Sequence, residues 1–281
     1  MPETILTAGR TAVITGGASG IGLAAAKRFA SLGMNVVLAD LESAALDAAR
    51  LAVEGVVQNA KVIAVPTDVS RREDVERLRD TALGTFGDVC VLMNNAAMNA
   101  GAGKPWEDAE RWRRVIDVNL MGVVNGVTVF TQGMIAQSRP SHIINTGSKQ
   151  GITNPPGAAA YNTSKAAVRA LTEQLAFALA SDAPHVSAHL LIPGWTYTAL
   201  TGAAEGSTKP DGAWTPGQVV DFMIESLGRG DFYILCPDNS VTRAVDERRM
   251  QWTAGDIIQN RPALSRWRPD HAEAFARFMA E

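Results

Sequence analysis

Short apolar runs rich in β-branched residues alternate along the chain with longer segments whose apolar residues recur at helical spacing, and no other feature restricts the fold as strongly. Strands that alternate with helices form a parallel sheet with helices on both faces, because each connection must cross a face of the sheet. We therefore predict an α/β, doubly wound parallel sheet of about seven strands. The predicted strands are Thr11–Thr15, Asn35–Ala39, Lys61–Val65, Val89–Met93, Ser141–Thr146, Val186–Ile192 and Asp231–Cys236.

The chain changes character after the last predicted strand. Residues 1–239 are predicted to form a single domain, and residues 240–281 a C-terminal extension. Within the extension, Ser240–Asn260 has a helical pattern, Arg261–Asp270 contains two prolines and is predicted to be extended, and His271–Ala280 is predicted to be a short helix. We expect the extension to pack on the domain or on a neighbouring subunit, either over a pocket mouth or as a structural wrap.

Composition argues against several classes of partner. The 281 residues carry a net charge of −3, and both signs are mixed along the sequence. Because there is no basic stripe, we predict no nucleic-acid binding. The sequence begins with no secretory signal, and we expect no stretch to be apolar enough to span a bilayer. These observations predict a cytoplasmic protein with no membrane partner.

The cysteines and histidines do not have metal-ligand spacing. Cys90 and Cys236 are far apart and lie in apolar runs, so we expect them to be core residues. His185 and His189 are four residues apart, but a predicted strand would not place them on one helical face. We therefore predict no metal site.

A glycine-rich turn follows the first predicted strand. The sequence Thr15–Gly22 reads TGGASGIG, and an alanine-rich helical segment follows it. Glycines allow a tight turn close to a pyrophosphate, and the free N–H groups of a helix start attract the anion. A P-loop is disfavoured because no Gly-Lys-Ser/Thr follows. We call this segment the glycine turn and predict that it binds a dinucleotide.

Asp40 ends the second predicted strand, 18 residues after Gly22. A carboxylate there can accept hydrogen bonds from the adenosine ribose hydroxyls, and it would repel a 2′-phosphate. The sequence therefore favours NAD over NADP as cofactor. Asp40 could also serve as a helix N-cap, and the two roles are compatible.

Tyr161 and Lys165 lie four residues apart in a helical segment, so their side chains share one face. At ~4 Å and an effective dielectric constant of ~20, an ammonium attracts a phenolate by ~4 kcal/mol. This attraction predicts a lowered pKa for the Tyr161 phenol, which would make it a useful acid or base. Ser148, after the fifth strand, could hydrogen-bond a substrate oxygen.

Several ordered motifs agree with one another over residues 8–237 and together resemble the short-chain dehydrogenase/reductase family. The chain is similar to this family in the glycine turn, in Asp68-Val69, in Asn94–Ala97 (NNAA), in Asn119 within DVNLMG, in the 13-residue spacing of Ser148 and Tyr161, and in Pro193-Gly194 with Thr198. It departs from the family at Ala97, where a glycine is usual, and after Pro237, where the extension replaces the usual end. The resemblance implies a Rossmann-type fold.

The resemblance also implies the site residues. The implied catalytic residues are Asn119, Ser148, Tyr161 and Lys165, with Asn119 holding a water that links Lys165 to solvent. The implied cofactor-binding residues are Gly16, Ser19, Gly20, Ile21, Gly22, Asp40, Leu41, Asp68, Val69, Asn95, Ala96, Tyr161, Lys165, Pro193, Gly194, Thr196 and Thr198. The implied substrate-binding residues are Met98, Ser148, Gln150, Tyr161 and Trp195, with Asn99, Thr153 and Trp214 as further candidates for the pocket wall.

We expect an NAD-dependent oxidoreductase that transfers a hydride between a secondary alcohol or ketone and the nicotinamide. Its substrate is predicted to be a small, moderately apolar molecule, since no arginine clamp for a carboxylate is evident. The long segment Thr196–Pro216 is expected to form a loop over the site. By resemblance, the protein is expected to be a homodimer or homotetramer. Two alternatives remain open: a non-catalytic dinucleotide sensor or scaffold, and an epimerase or dehydratase of the same family.

Overall fold

The computed structural model describes residues 5–99, 101, 103–204 and 206–280. The strands within these residues are β1 (Thr11–Thr15), β2 (Asn35–Asp40), β3 (Val62–Pro66), β4 (Val91–Asn94), β5 (Ser141–Thr146), β6 (Val186–Ile192) and β7 (Tyr233–Leu235). They form one parallel sheet in the order β3-β2-β1-β4-β5-β6-β7. The prediction of a doubly wound, Rossmann-type sheet is confirmed. The ends of β1, β5 and β6 are those predicted, and no other strand end differs by more than two residues.

Helices connect the strands and extend beyond the last one. They are α1 (Gly20–Ser31), α2 (Ala44–Glu54), α3 (Arg72–Phe86), α4 (Ala109–Ile116), α5 (Gly122–Ala136), α6 (Gln150–Thr153), α7 (Ala159–Asp182), α8 (Pro216–Arg229), α9 (Arg243–Ile258) and α10 (Ala272–Ala280). A π-helical turn, Asp117–Met121, joins α4 to α5. Within its described residues, the loop predicted over Thr196–Pro216 contains one short 3₁₀ turn, Ala199–Thr201, before Pro216 begins α8.

The core lies on both faces of the sheet, because successive residues of a strand point to opposite sides. Ala12 and Ile14 of β1 pack with α1, α2 and α8 on one face. Val13 packs with α3, α5 and α7 on the other. A fully buried branched side chain such as Ile14 contributes ~1.5–3 kcal/mol, so these layers hold the strand ends rigidly.

The carboxyl ends of the parallel strands share one edge of the sheet. The chain runs outward from β1 to β2 and β3 on one side, and from β4 to β7 on the other. The connections that leave β1 and β4 therefore diverge, which opens a crevice between them. Crevices of this kind are the usual ligand site of doubly wound sheets.

One helical run is longer and more apolar than was expected from the sequence. Ala109–Ala136, which spans α4, the π-helical turn and α5, is long and apolar enough by length and composition to cross a membrane, and half of its most apolar window is buried inside the protein. The expectation that no stretch would reach this length was wrong. Val115, Val123 and Phe130 of this run pack against the sheet and its neighbouring helices, which accounts for the apolar composition.

The C-terminal segment, residues 240–280, folds around Trp252 of α9. The Trp252 ring lies 5.3 Å from the ring of Phe275 and 5.2 Å from that of Phe278. The Arg261 guanidinium lies 3.9 Å from the Trp252 ring centroid. The indole N–H of Trp252 donates a 2.8 Å hydrogen bond to Ser265. These contacts give the segment a small cluster of its own.

The extended conformation predicted for Arg261–Asp270 was wrong. Two 3₁₀ turns occur there, Ser265–Trp267 and Pro269–His271. The reason lies in Asp256 of α9, whose carboxylate accepts hydrogen bonds from the Ser265 backbone N–H at 3.0 Å and from Arg261 at 2.8 Å. These bonds pull the chain back against α9, and the proline signal alone does not predict them.

Candidate active site

A cavity of about 810 Å³ lies at the carboxyl edge of the sheet, in the crevice between β1 and β4. Most of the sequence-predicted site residues line it. They are Gly16, Ser19, Gly20, Ile21, Asp40, Leu41, Asp68, Val69, Asn95, Ala96, Met98, Ser148, Gln150, Tyr161, Lys165, Pro193, Gly194, Trp195, Thr196 and Thr198. Gly22 and Asn119 were predicted to belong to the site but do not line the cavity; both lie behind its wall.

The glycine turn is shaped by contacts that leave no space for side chains. Gly16 has a left-handed φ of +65°, and a Cβ there would lie 2.8 Å from the Cα of Ala96. A Cβ on Gly22 would overlap the carbonyl oxygen of Gly16. Gly22 therefore acts through packing, since only a glycine allows the start of α1 to approach the turn this closely.

The start of α1 suits an anion. Its N-cap residue, Ser19, makes no side-chain capping hydrogen bond. The first N–H groups of a helix have no partner within the helix, and Ser19, Gly20 and Ile21 face the cavity. A pyrophosphate fits this cradle because it can accept hydrogen bonds from backbone groups that no side chain caps.

Asp40 is held by the backbone around it. Its carboxylate accepts a 2.9 Å hydrogen bond from the N–H of Ala18 in the glycine turn and a 2.8 Å hydrogen bond from the N–H of Leu41. The N-cap of α2 is Ser43, whose side chain accepts from Leu46, so Asp40 is not the helix cap considered from the sequence. Asp40 instead ties the end of β2 to the glycine turn.

Ser148, Tyr161 and Lys165 meet at the other end of the cavity. The Lys165 ammonium is buried, donates a 2.7 Å hydrogen bond to the carbonyl oxygen of Thr146, and lies 5.8 Å from the Tyr161 ring centroid. Ser148 makes a side-chain hydrogen bond with Tyr161. Because α7 carries Tyr161 and Lys165 on one face and β5 ends just before Ser148, the three functional groups come from two rigid elements.

The expected lowering of the Tyr161 pKa is not found. Burial raises the pKa of Tyr161, and the hydrogen bond from Ser148 opposes this rise only in part. Burial also lowers the pKa of Lys165 to about 8. The sequence argument counted the attraction between the two groups and not the free energy of removing each from water, which dominates here.

The model of the short chain dehydrogenase family matches residues 10–208, and these residues include the glycine turn, Ser148, Tyr161 and Lys165. The chain belongs to the short-chain dehydrogenase family. The match covers more than half of the sequence and includes every strand except β7. The protein is therefore an oxidoreductase with a nucleotide-binding, Rossmann-type fold.

Individual relatives extend this similarity over nearly the whole chain. A 1-deoxy-11-beta-hydroxypentalenate dehydrogenase from Streptomyces exfoliatus is 36% identical over 265 residues, which cover 92% of this chain and 94% of that protein. A 3beta-hydroxysteroid dehydrogenase 2 from Eggerthella lenta is 38% identical over 194 residues, covering 69% of this chain and 73% of that one. A short-chain dehydrogenase/reductase from Burkholderia phymatum, solved in complex with NAD, has a TM-score of 0.83 and 33% identity, and covers 92% of this chain and 97% of its own.

Asn119 of this short-chain dehydrogenase supports the cavity wall through the backbone of Met98. The Asn119 side chain accepts a 2.8 Å hydrogen bond from the Met98 N–H and donates a 2.9 Å bond to the Met98 carbonyl. It also donates a 3.2 Å bond to the Ser164 hydroxyl. Both amide hydrogens of the Asn119 side chain are therefore used, so a water held by Asn119 would have to donate a hydrogen bond to one of its carbonyl oxygens. The π-helical turn that contains Asn119 is a feature often found at functional sites.

The substrate end of the cavity is lined mainly by Met98, Gln150 and Trp195, and the Trp195 side chain is 46% exposed. Asn99 also lines the cavity, whereas Thr153 and Trp214, suggested from the sequence, do not. The Trp214 ring packs instead against Phe222 at 5.9 Å, under the loop. The position of the loop was predicted correctly. The sequence did not show that Trp214, near the end of the loop, would pack against Phe222 and not line the cavity.

Three charged residues that line the cavity, Arg114, Asp117 and Lys149, were missed from the sequence. Arg114 on α4 was overlooked although Val118, four residues later, is on the same helical face. Helical spacing could have found it. The sequence had indicated no arginine clamp for a carboxylate, and Arg114 is an arginine that lines the cavity. Lys149, next to Ser148, was overlooked because nothing in the sequence distinguishes it from a surface lysine.

The C-terminal segment does not line the cavity within the described residues. α9 packs instead against α6, the short helix that begins two residues after Ser148. The Lys149 ammonium lies 2.5 Å from a carboxylate oxygen of Asp246 on α9. The C-terminal segment therefore contacts Lys149 and α6, which follow Ser148, without lining the cavity itself in the described residues.

Proposed function

We propose that the chain is an NAD-dependent dehydrogenase that interconverts a secondary alcohol and a ketone, with Tyr161 as the general acid and base. One observation carries this proposal: Ser148, Tyr161 and Lys165 meet at one end of a cavity whose other end is formed by the glycine turn and Asp40. A nucleotide sensor needs only the second of these ends. Membership of the short-chain dehydrogenase family agrees with the proposal.

The residues divide the chemistry among them. A bound nicotinamide would accept a hydride from the alcohol or return one to the ketone. The Tyr161 phenol donates a proton to the substrate oxygen during reduction and takes it back during oxidation. Ser148 hydrogen-bonds Tyr161 and is placed to donate to the same substrate oxygen. Lys165, fixed by the carbonyl of Thr146, provides a positive charge that favours the phenolate.

The raised pKa of Tyr161 gives the two directions opposite pH dependences. At neutral pH the phenol is protonated, which is the form that donates to a carbonyl. Oxidation requires the phenolate, whose fraction grows as the pH rises toward the pKa. We therefore expect the oxidation rate to rise from about pH 7 to about pH 10, and the reduction rate to stay nearly constant over this range and to fall only as the pH passes the raised pKa.

NAD is the proposed cofactor because of the charge at the end of β2. Asp40 lines the cavity, and its carboxylate is held in place by the N–H groups of Ala18 and Leu41. A 2′-phosphate beside it would carry about −1.5 to −2 charges. Repulsion between the two anions disfavours NADP.

The proposed substrate is an alicyclic secondary alcohol or the corresponding ketone. Met98 and Trp195 give the substrate end apolar walls, and Gln150 provides a polar group. The relatives described above include a protein named for a 3beta-hydroxysteroid and one named for a hydroxypentalenate. A hydroxysteroid is an alcohol on an apolar ring system, which suits such walls.

The test is a panel of cyclic secondary alcohols assayed with NAD and with NADP, in which reduced nicotinamide is followed by absorbance. The proposal expects net reduction of NAD by at least one alcohol, and a higher kcat/KM with NAD than with NADP. Tyr161→Phe should lower kcat by about a thousandfold and leave NADH binding within about twofold. Tyr233→Phe is the matched control, since that phenol is half exposed and bonds only Glu173.

Two results would contradict the proposal. Full activity in Tyr161→Phe would show that another group moves the proton. Binding of NADH without net nicotinamide reduction by any alcohol would favour the sensor, the epimerase or the dehydratase instead.

A further inference from the structure

Lys149 is a largely buried cation that directly follows Ser148 in the chain. Its side chain is 13% exposed and lies between two carboxylates, 3.3 Å from Asp238 and 2.5 Å from Asp246. Both carboxylates are more deeply buried, at 4% and 3% exposed. Asp238 follows β7 and Asp246 lies on α9, so Lys149 joins the core domain to the C-terminal segment. We call these three residues the Lys149 cluster.

Asp238 connects the Lys149 cluster to the substrate wall. The Asp238 oxygen that contacts Lys149 also accepts a 3.3 Å hydrogen bond from the backbone N–H of Trp195. The other oxygen accepts from the N–H of Ser240, where the C-terminal segment begins. The position of Trp195, which lines the cavity, therefore depends on where the Asp238 carboxylate is held.

Gly194 indicates how closely the Lys149 cluster is packed against this wall. A Cβ on Gly194 would lie 2.5 Å from the Asp238 carboxylate and 2.9 Å from the Lys149 ammonium. The Lys149 backbone N–H also bonds the Pro193 carbonyl at 3.3 Å. Side chain and backbone of Lys149 thus both contact the segment that leads into Trp195.

Asp246 is the only member of the cluster that comes from α9. Within the described residues, no second acid of that helix pairs with Lys149. The next residue, Glu247, is half exposed and pairs with Arg243 in the solvent. Removing the charge of Asp246 would leave Lys149 with Asp238 alone. The ammonium would then compete with the Trp195 N–H for the same oxygen.

We propose that Lys149, Asp238 and Asp246 are positioning residues, through which the C-terminal segment fixes Trp195 and so sets the affinity for substrate. This inference rests on the proposed function for its kinetic consequence, although its structural part does not. The C-terminal segment acts on the pocket from behind, without lining it. The substrate class concerned is the apolar alcohol whose ring system would pack against the Trp195 ring.

The test compares Asp246→Asn with Glu247→Gln, the same chemical change at the neighbouring position. Asp246→Asn should raise the KM for the best alcohol of the panel about fivefold to tenfold, with kcat and the KM for NAD within about twofold, as expected when uniform binding is lost. Hydrogen exchange followed by mass spectrometry should show faster exchange in the peptide containing the Trp195 amide and unchanged exchange in β1. Glu247→Gln should match the wild type in both measurements.

A second variant keeps the test valid if Asp246→Asn folds poorly. Lys149→Met combined with Asp238→Leu and Asp246→Leu replaces all three buried charges with apolar side chains, a change that folds often tolerate. The proposal again expects faster exchange at Trp195, because the carboxylate that accepts its N–H is gone.

The outcomes separate this inference from the proposed function. Unchanged exchange at Trp195 and an unchanged KM would overturn it. An equally large rise in KM in Glu247→Gln would also overturn the inference. So would a fall in kcat with no change in KM in Asp246→Asn. If no alcohol reduces the nicotinamide in the wild type, the proposed function fails, and the exchange comparison still decides whether Asp246 positions Trp195.

Discussion

The glycine turn lines the cavity, the described part of the C-terminal segment lies behind the cavity wall, and the two are held in place by different means. The glycine turn is fixed by backbone contacts that depend on the absence of side chains, as at Gly16 and Gly22. The C-terminal segment is fixed by side-chain pairs, such as Lys149 with Asp246 and Arg261 with Trp252. A backbone contact that requires glycine can be recognised in the sequence from the glycine itself. A pair of interacting side chains can be recognised there only when both partners are already known.

The glycine turn should show the largest effect of substitution. Gly22→Ala places a methyl group against the carbonyl of Gly16, so we expect a loss of about 3 kcal/mol in the free energy of unfolding. NADH binding should fall below detection. Denaturant unfolding and NADH fluorescence measure the two effects.

Gly84→Ala in α3 is the matched control, because a Cβ there meets nothing within 4 Å. It should stabilise the protein by ~0.5–1 kcal/mol, since alanine favours the helix. If both substitutions behave alike, the turn is not held by the contact between Gly16 and Gly22.

The C-terminal segment should respond locally. Trp252→Ala removes the ring on which Phe275, Phe278 and Arg261 pack, at a cost of ~3–5 kcal/mol to the structure around it. We expect residues 240–280 to lose hydrogen-exchange protection and to become sensitive to trypsin, while β1 and β4 stay protected. Trp267→Ala, at a ring that is 42% exposed, should change little. Simultaneous loss of protection in the sheet would mean that the two regions fold as one unit.

A smaller effect is expected at a pair of histidines inside the sheet, where side chains and not glycines make the contact. His142 of β5 and His189 of β6 share a 2.9 Å hydrogen bond, a side-chain pair within the region that the motifs describe. Burial, and to a lesser degree the charge of His189, lowers the pKa of His142 to about 3. A lowered folded-state pKa stabilises the protein above the unfolded pKa of 6.5, and this stability is lost as the pH falls from 6.5 toward 3.

We therefore expect His142 to cost about 2 kcal/mol of stability on going from pH 7 to pH 5. His142→Gln should remove this share of the acid sensitivity, whereas His189, whose pKa burial also lowers, should keep its own share. His185→Gln, at a half-buried histidine that bonds the Ile135 carbonyl, should keep both shares. Urea unfolding at a series of pH values measures the difference, and equal slopes for the two variants would exclude His142 as the source.

How much could be predicted from the sequence follows the same division. The strands and the carboxyl-edge site were predictable because period, glycines and short turns are local in sequence, and the residues Ser148, Tyr161 and Lys165 were predicted to meet. The direction of the pKa shift of Tyr161 was not predictable, since it depends on how deeply the phenol is buried in the folded protein. The turns at Ser265 depend on Asp256, nine residues earlier, and the role of Lys149 depends on Asp238 and Asp246, which are far away in sequence.

Asp40 has a consequence for anyone who wishes to redesign the nucleotide preference. Its two hydrogen bonds, to the N–H groups of Ala18 and Leu41, make it part of the scaffold as well as a charged group. Exchanging it for a neutral residue would remove the charge that is proposed to disfavour NADP, and at the same time would weaken the hydrogen bonds that tie β2 to the glycine turn. A successful redesign therefore has to supply new acceptors for those two amides, and a phosphate group on the ribose is itself such an acceptor.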